Sequence, residues 1–376
     1  MKVFGSTSLH EIVGDLIVYR NLDPVDSRLP GLADIRNSIE IPVGMAPRKG
    51  QPAYAQVVVF LLKAASKLMD PDYTIQQLAY IGDTRMNDGN AFVTIANAGD
   101  WRGAAFIAAE NQQPPSIDLV EQGTTNIFLA NRWSALSDFE GYCRGIDLKF
   151  GKGTAVIIDL DKTALGARGR NDQVINQARV EAVRRTVGNL LGEAFDLERF
   201  QEAYDLLNQP AFHSFTTDNQ DYLAYICLVQ GSGLCELESL VESLGKQGME
   251  TFEGFISEVN DRVEELPPAL REVHNKVYRR VQEGDPTPFK AFRRHEYQTT
   301  IARMGCRGDW KTVSELLSRK LVITQEVREA AQRWKRKGAL LFGLSDKPDE
   351  ACFPGEELAA QGYLPLHKVE TCAVGK

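Results

Sequence analysis

A run of small and β-branched residues, Thr154-Ala-Val-Ile-Ile, leads directly into Asp159-Leu-Asp161-Lys-Thr163. An apolar run without polar breaks is the pattern of a strand buried on both faces, as in a parallel sheet. Ligands of open α/β sheets bind beyond the carboxyl ends of the strands, which is where Asp159 and Asp161 would stand. Alternate residues of an extended segment point to one side, so the two carboxylates face the same way. Like charges so close repel each other unless a cation or a proton lies between them. A strand that merely runs into an acidic turn carries the same letters, and the rest of the chain decides between the two readings.

At 376 residues the chain has room for two domains, or for one core with a large insertion. Its net charge of −8 speaks against general nucleic-acid binding, because a phosphate backbone rewards a basic surface. A small phosphorylated substrate met by a local basic pocket remains compatible with it. The six cysteines form no Cys-x-x-Cys pair and have no zinc-like spacing to histidine. Scattered free thiols in a reducing compartment are expected. No signal-peptide pattern opens the chain, and the apolar run Val57–Leu62 is too short to span a bilayer. A soluble, cytoplasmic protein without a membrane or nucleic-acid partner is the expectation.

Residues 1 to 48 read as irregular, with Pro24, Pro30, Pro42 and Pro47. A helix is predicted from Pro52, a tolerated first-turn position, to Leu68. Leu78–Ile81 reads as a buried strand leading into Gly82-Asp83-Thr-Arg-Met-Asn87-Asp88. Ala91–Ile95 and Ala104–Ala108 read as further strands, and 126–142 as a helix. From about Asn171 to Lys337 apolar residues recur at helical spacing, as in Val174, Ala178, Ala182 and Val183. Helical segments are expected around 197–208, 250–265, 268–282, 288–303 and 323–337. Ala339–Leu344 then returns to buried-strand character and ends in Ser345-Asp-Lys347-Pro348. The expected fold is therefore an α/β core of residues 1–165 and 338–376, interrupted by an all-helical insert, 166–337.

Carboxylates from two strand ends can share one Mg²⁺, a hard cation that prefers oxygen ligands. A nearby hydroxyl and lysine can bind the oxygens of a transferring phosphoryl group. With its charge damped, a carboxylate can attack phosphorus, and a second carboxylate can serve as general acid and base. On these residues the chain resembles the haloacid dehalogenase (HAD) superfamily, whose commonest members are Mg²⁺-dependent phosphohydrolases with a Rossmannoid parallel sheet. That family's first motif is similar to Asp159-Leu-Asp161-Lys-Thr163, its second to the strand ending in Ser345, its third to Lys49 before the Pro52 helix, and its fourth to Gly82-Asp83 with Asp88. The order differs, since motifs three and four precede motif one, as in a circular permutation. Residues 351–376 would then supply the link between motifs two and three, and the helical insert would occupy the family's cap position.

The resemblance implies Asp159 as nucleophile and Asp161 as general acid and base, with Asp159, Asp161, Asp83 and Asp88 around Mg²⁺. Ser345, Lys49 and Thr163 would bind phosphate, although Lys347 competes with Lys49 for that part. Asn87 stands between turn residue and site residue. Arg168 and Arg170 could read a substrate anion or form a solvated hinge. Arg293-Arg294-His295 and Arg333–Lys337 read as solvated helix faces, and Trp133, Trp310 and Trp334 as core or interface. The five histidines show no metal-ligand spacing and are assigned no role. The implied function is a phosphatase working through an aspartyl-phosphate, with a phosphomutase or phosphotransferase using the same residues. The alternative is a non-catalytic HAD scaffold binding a partner protein or nucleotide through its insert.

Overall fold

The structure is a computed structural model that describes residues 1–42, 46–217, 219–245 and 251–376. Residues 43–45 of the segment expected to be irregular, and residue 250 of one expected helix, lie outside the described residues. The strands are β1 (Lys2–Thr7), β2 (Ile17–Val18), β3 (Gln77–Gly82), β4 (Arg102–Ala108), β5 (Ile117–Gln122), β6 (Thr125–Ala130), β7 (Thr154–Asp159), β8 (Ile323–Thr324), β9 (Leu340–Leu344) and β10 (Thr371–Gly375). Seven of them form one sheet in the order β2-β9-β7-β3-β4-β6-β5. Every pairing in it is parallel except the β5–β6 hairpin at one edge.

All residues of β3, β7 and β9 are buried, as their apolar runs require. Side chains alternate between two cores. Ala79, Ile81, Phe106, Val156, Ile158 and Leu341 face one, which is closed by the helices Leu9–Val13, Leu136–Gly145 and Gln325–Arg336. Leu78, Tyr80, Ile107, Ile157, Leu340 and Phe342 face the other, covered by the helices Pro52–Met69 and Asn90–Gly99. Ile157 and Ile158 are fully buried on opposite faces, and each such side chain contributes roughly 1.5–3 kcal/mol. The expected α/β class and the Pro52 helix are therefore present.

Several local readings are corrected. Ala91–Ile95 is helical, because Ala91, Phe92, Ile95 and Ala96 form the buried stripe of Asn90–Gly99. The expected helix at 126–142 is instead β6 followed by Leu136–Gly145, since Ile127 and Phe128 pair in the hairpin with Leu119 and Val120. The segment 1–48 is not irregular throughout. It supplies β1 antiparallel to β10 and β2 parallel to β9, pairings whose partners lie more than three hundred residues away. Cys306 and Cys372 are joined in a disulfide, with their Cα atoms 4.9 Å apart, so the expectation of six free thiols fails for this pair. Among the described residues no helix is long and apolar enough to cross a membrane.

The chain divides into two compact units, Met1–Gln177 with Thr300–Lys376, and Ala178–Thr299. The boundaries differ from the expected 166–337, because residues on both sides of the insert pack in the α/β unit. Val174, Ile175, Leu321, Ile323, Val327 and Trp334 belong to its core, and β8 pairs with β10. The second unit is helical and has its own core of Phe200, Tyr204, Phe252, Phe255, Phe289 and Phe292. Arg293, expected on a solvated face, is 2% exposed there and is paired with Asp221 and Glu296 at 2.6 Å each.

Arg170 is likewise no solvated hinge and no free anion reader. Its guanidinium is buried and donates to Glu110 at 2.8 and 3.1 Å, to Glu326 at 2.8 and 2.9 Å, and to the Val374 carbonyl at 3.3 Å. It thus ties the end of β4 to the Gln325–Arg336 helix and to β10. Removing one partner of a buried ion pair strands the others without solvation. Arg170→Ala is expected to cost about 3–5 kcal/mol of stability in urea unfolding. Burial alone would raise Glu110, but Arg170 outweighs it and holds the carboxyl below its usual 4.5. That stability is present above pH 4.5 and is lost as pH falls through the lower folded value. In Arg170→Ala the acid-side loss from Glu110 should vanish; an unchanged acid limb would remove the assigned role.

Candidate active site

Three neighbouring parallel strands end together. Asp159 closes β7 and is registered with Leu344, the last residue of β9, so Ser345 follows one residue past that level. On the other side Ile158 is registered with Ile81, and β3 passes through Gly82 into Asp83. Lys49 arrives from the turn before the Pro52–Met69 helix, where Gln51 N–H donates to the Arg48 carbonyl at 3.0 Å.

Lys49 Nζ is the hub. It donates to Asp159 Oδ1 at 2.7 Å and to Asp88 Oδ1 at 2.9 Å, with its side chain 6% exposed. Asp346 adds a carboxylate oxygen at 4.0 Å. Burial would lower the Lys49 pKa, but Asp159 and Asp88 outweigh it and hold the ammonium charged. Asp88 Oδ1 also accepts from the Tyr80 hydroxyl at 3.0 Å, and Oδ2 accepts from the backbone N–H groups of Asp83 and Thr84 at 3.0 Å each. Burial would raise Asp88, yet these donors and Lys49 hold it well below the carboxylate range. Both its oxygens are engaged, so Asp88 aims Lys49. Gly82 is needed for that approach, because a Cβ there would lie 2.5 Å from the Asp88 Cβ.

Asp83 pairs with Arg168 Nε, yet burial, with Asp88 beside it, pushes its carboxyl up to about 7. Burial also pushes Asp159 well above the usual range, against the pull of Lys49. The cause is common to both. Three buried carboxylates share two directly bound cations, Lys49 and Arg168, and the excess negative charge has to be met by a proton or a further cation. Oxygens of Asp83, Asp88 and Asp159 all lie within 4.8 Å of one another. An all-carboxylate set short of positive charge fits a hard divalent cation such as Mg²⁺.

The other expected site residues divide. Asp161 lies outside this cluster, 3.9 Å from Lys347 Nζ and about a quarter exposed. Ser345 is buried at the β9 end, its hydroxyl accepting from Lys347 N at 3.1 Å. Lys49 reaches Asp159 and Lys347 faces Asp161, which separates the two competing lysines. Thr163 is fully buried, its carbonyl accepting from Thr324; among the described residues its own hydroxyl has no hydrogen-bond partner. Arg168 joins the cluster through Asp83, whereas Arg170 belongs to the structural tie. Asn87 is exposed. Tyr80 and Thr84 were not singled out from sequence. Tyr80 carried a signal, a hydroxyl inside an otherwise apolar buried strand, which needs a partner. Compared with known protein families, curated proteins and solved structures, the chain matches none.

The raised Asp83 pKa has a measurable consequence in metal-free protein. Unfolded, the carboxyl titrates near 3.8; folded, near 7. Its contribution to stability is fully present below pH 3.8 and is lost as pH rises through about 7. Asp83→Asn should flatten that decline in urea unfolding with EDTA across this range. Equal slopes for the variant and the wild type would show that Asp83 keeps an ordinary pKa.

Proposed function

We propose that the chain is a Mg²⁺-dependent phosphohydrolase of the HAD type, acting through an aspartyl-phosphate on Asp159 and using a small phosphorylated substrate. The observation that carries this reading is Lys49 held between Asp159, at the end of β7, and Asp88, in the helical turn that follows β3. Four segments far apart in sequence meet there in the combination that phosphoryl transfer uses: a nucleophile, a lysine, a hydroxyl and a second acidic strand end. The permuted order is supported by the pairing of Lys2 with Gly375, which sets the first and last strands side by side.

Asp159 and Asp83 would hold the ion, while Asp88 keeps Lys49 in place. When bound, Mg²⁺ supplies positive charge against the phosphoryl oxygens and the carboxylates. Lys49 and the Ser345 hydroxyl orient the phosphoryl group by donating to its oxygens. A carboxylate oxygen of Asp159 attacks phosphorus as the bond to the leaving oxygen breaks. That oxygen takes the electron pair and a proton from Asp161. Water then attacks phosphorus and gives its proton to Asp161, and the Asp159–phosphorus bond breaks. Phosphate and an alcohol are released, with both carboxyl groups returned to their starting states.

Hydrolysis of p-nitrophenyl phosphate, followed by a panel of phosphorylated metabolites, tests this. Turnover should need Mg²⁺, stop with EDTA and be absent in Asp159→Asn. Asp161→Asn should lower kcat by about 10²–10⁴-fold. Wild-type protein that binds Mg²⁺ but turns over nothing in the panel would favour a binding scaffold over an enzyme.

A further inference from the structure

We propose that His10, Asp15 and His367 form a zinc site that fastens the N-terminal helix to the chain just before β10. His10 Nδ1 lies 3.1 Å and His367 Nε2 3.2 Å from the same oxygen, Asp15 Oδ1. Each of the three residues offers one ligand atom, and those atoms all fall within 4.8 Å of one another. Zinc bonds to histidine nitrogen and carboxylate oxygen place adjacent ligand atoms of a tetrahedron about 3.3 Å apart. The two separations to Asp15 Oδ1 are therefore those of tetrahedral edges. Two imidazoles select a borderline first-row ion over Mg²⁺, which separates this site chemically from the carboxylate cluster.

The backbone delivers the ligands from two distant places. His10 is on the Leu9–Val13 helix, and Gly14, at φ +68°, turns the chain sharply so that Asp15 comes back toward it. His367 belongs to the helical turn Leu366–Lys368, with its ring fully buried and Phe353 edge-on at 6.3 Å. Its Nδ1 is buried and, among the described residues, without a partner, so Nε2 is the ring's polar outlet. His10 and Asp15 are 45% and 36% exposed, which gives an ion an entry path and leaves a fourth position toward solvent. Lys368 Nζ, 3.3 Å from the same Asp15 oxygen and 41% exposed, competes with the ion and has to swing into water. Zinc on Nε2 moves the ring proton to Nδ1, which has nothing to receive it. The affinity is therefore lower than at a site whose histidines are buttressed by outer hydrogen bonds.

The test is titration of ZnCl₂ into the chelator-stripped full chain, by calorimetry and by the shift in Tm, with His10→Ala and Asp15→Asn beside the wild type. Both substituted side chains are partly exposed, so the variants should fold. Wild type should bind one zinc ion per chain and rise in Tm. Each variant should lose the Tm shift and bind roughly 100-fold more weakly. Zinc held only by the carboxylate cluster would leave both variants like wild type, and that result would overturn the proposal. So would the absence of zinc binding to wild type.

Discussion

The Lys49 ammonium, buried between Asp159 and Asp88, sets the most demanding condition that the α/β unit has to meet. Taking a cation and two carboxylates out of water is costly, and their attraction offsets that cost only with good geometry and satisfied hydrogen bonds. The fold supplies those conditions one at a time. Parallel register brings the ends of β9, β7 and β3 to one level. The absence of a side chain at Gly82 lets Asp88 close in, and two backbone N–H groups and Tyr80 fix its oxygens. The Pro52–Met69 helix, buried along the sheet, determines where its preceding turn delivers Lys49.

The three strands around this site were legible because parallel strands covered on both faces must be apolar throughout. Asp159, Asp83 and Ser345 were legible because each ends or follows such a strand, and Lys49 because it precedes the Pro52–Met69 helix. Strands whose partners lie far away were not. β1 is mostly exposed and carries no clean alternation, and β2 and β8 are two residues each. Nothing within five or six neighbouring residues announces such pairings. Asn90–Gly99 was misread for a different reason. Phe92, Val93, Thr94 and Ile95 favour strands locally, and helical packing against the Pro52–Met69 helix overrode that preference.

Charged residues show the same limit. Arg170 and Arg293 look like ordinary surface arginines, because both carboxylates that let Arg170 be buried, and one of the two beside Arg293, are distant in sequence. Arg170 meets Glu110 and Glu326, 60 and 156 residues away, and Arg293 meets Asp221, 72 residues away. Guanidinium groups suit such places, since a planar fork of donors can satisfy two carboxylates at once. The histidines were opaque for the same reason. His10 and Asp15 are close in sequence, but His367, which joins them in the fold, is more than 350 residues away in the chain.

The buried charge clusters around Arg170 and Lys49 are thus distinguished by balance. Around Arg170 the hydrogen-bond capacity of the cation is filled, and Glu110 is held below its usual pKa, so the ionised form favours the fold. Around Lys49 two of the three carboxylates are pushed the other way by burial, so their ionised forms work against it. A structural tie has no reason to keep that excess, because replacing one carboxylate by an amide would relieve it. Buried groups with perturbed pKa values cluster at functional sites, at the expense of stability. Charge imbalance, rather than burial of charge as such, is what separates a candidate site from a structural network here, and it is visible only once partners distant in sequence are brought together.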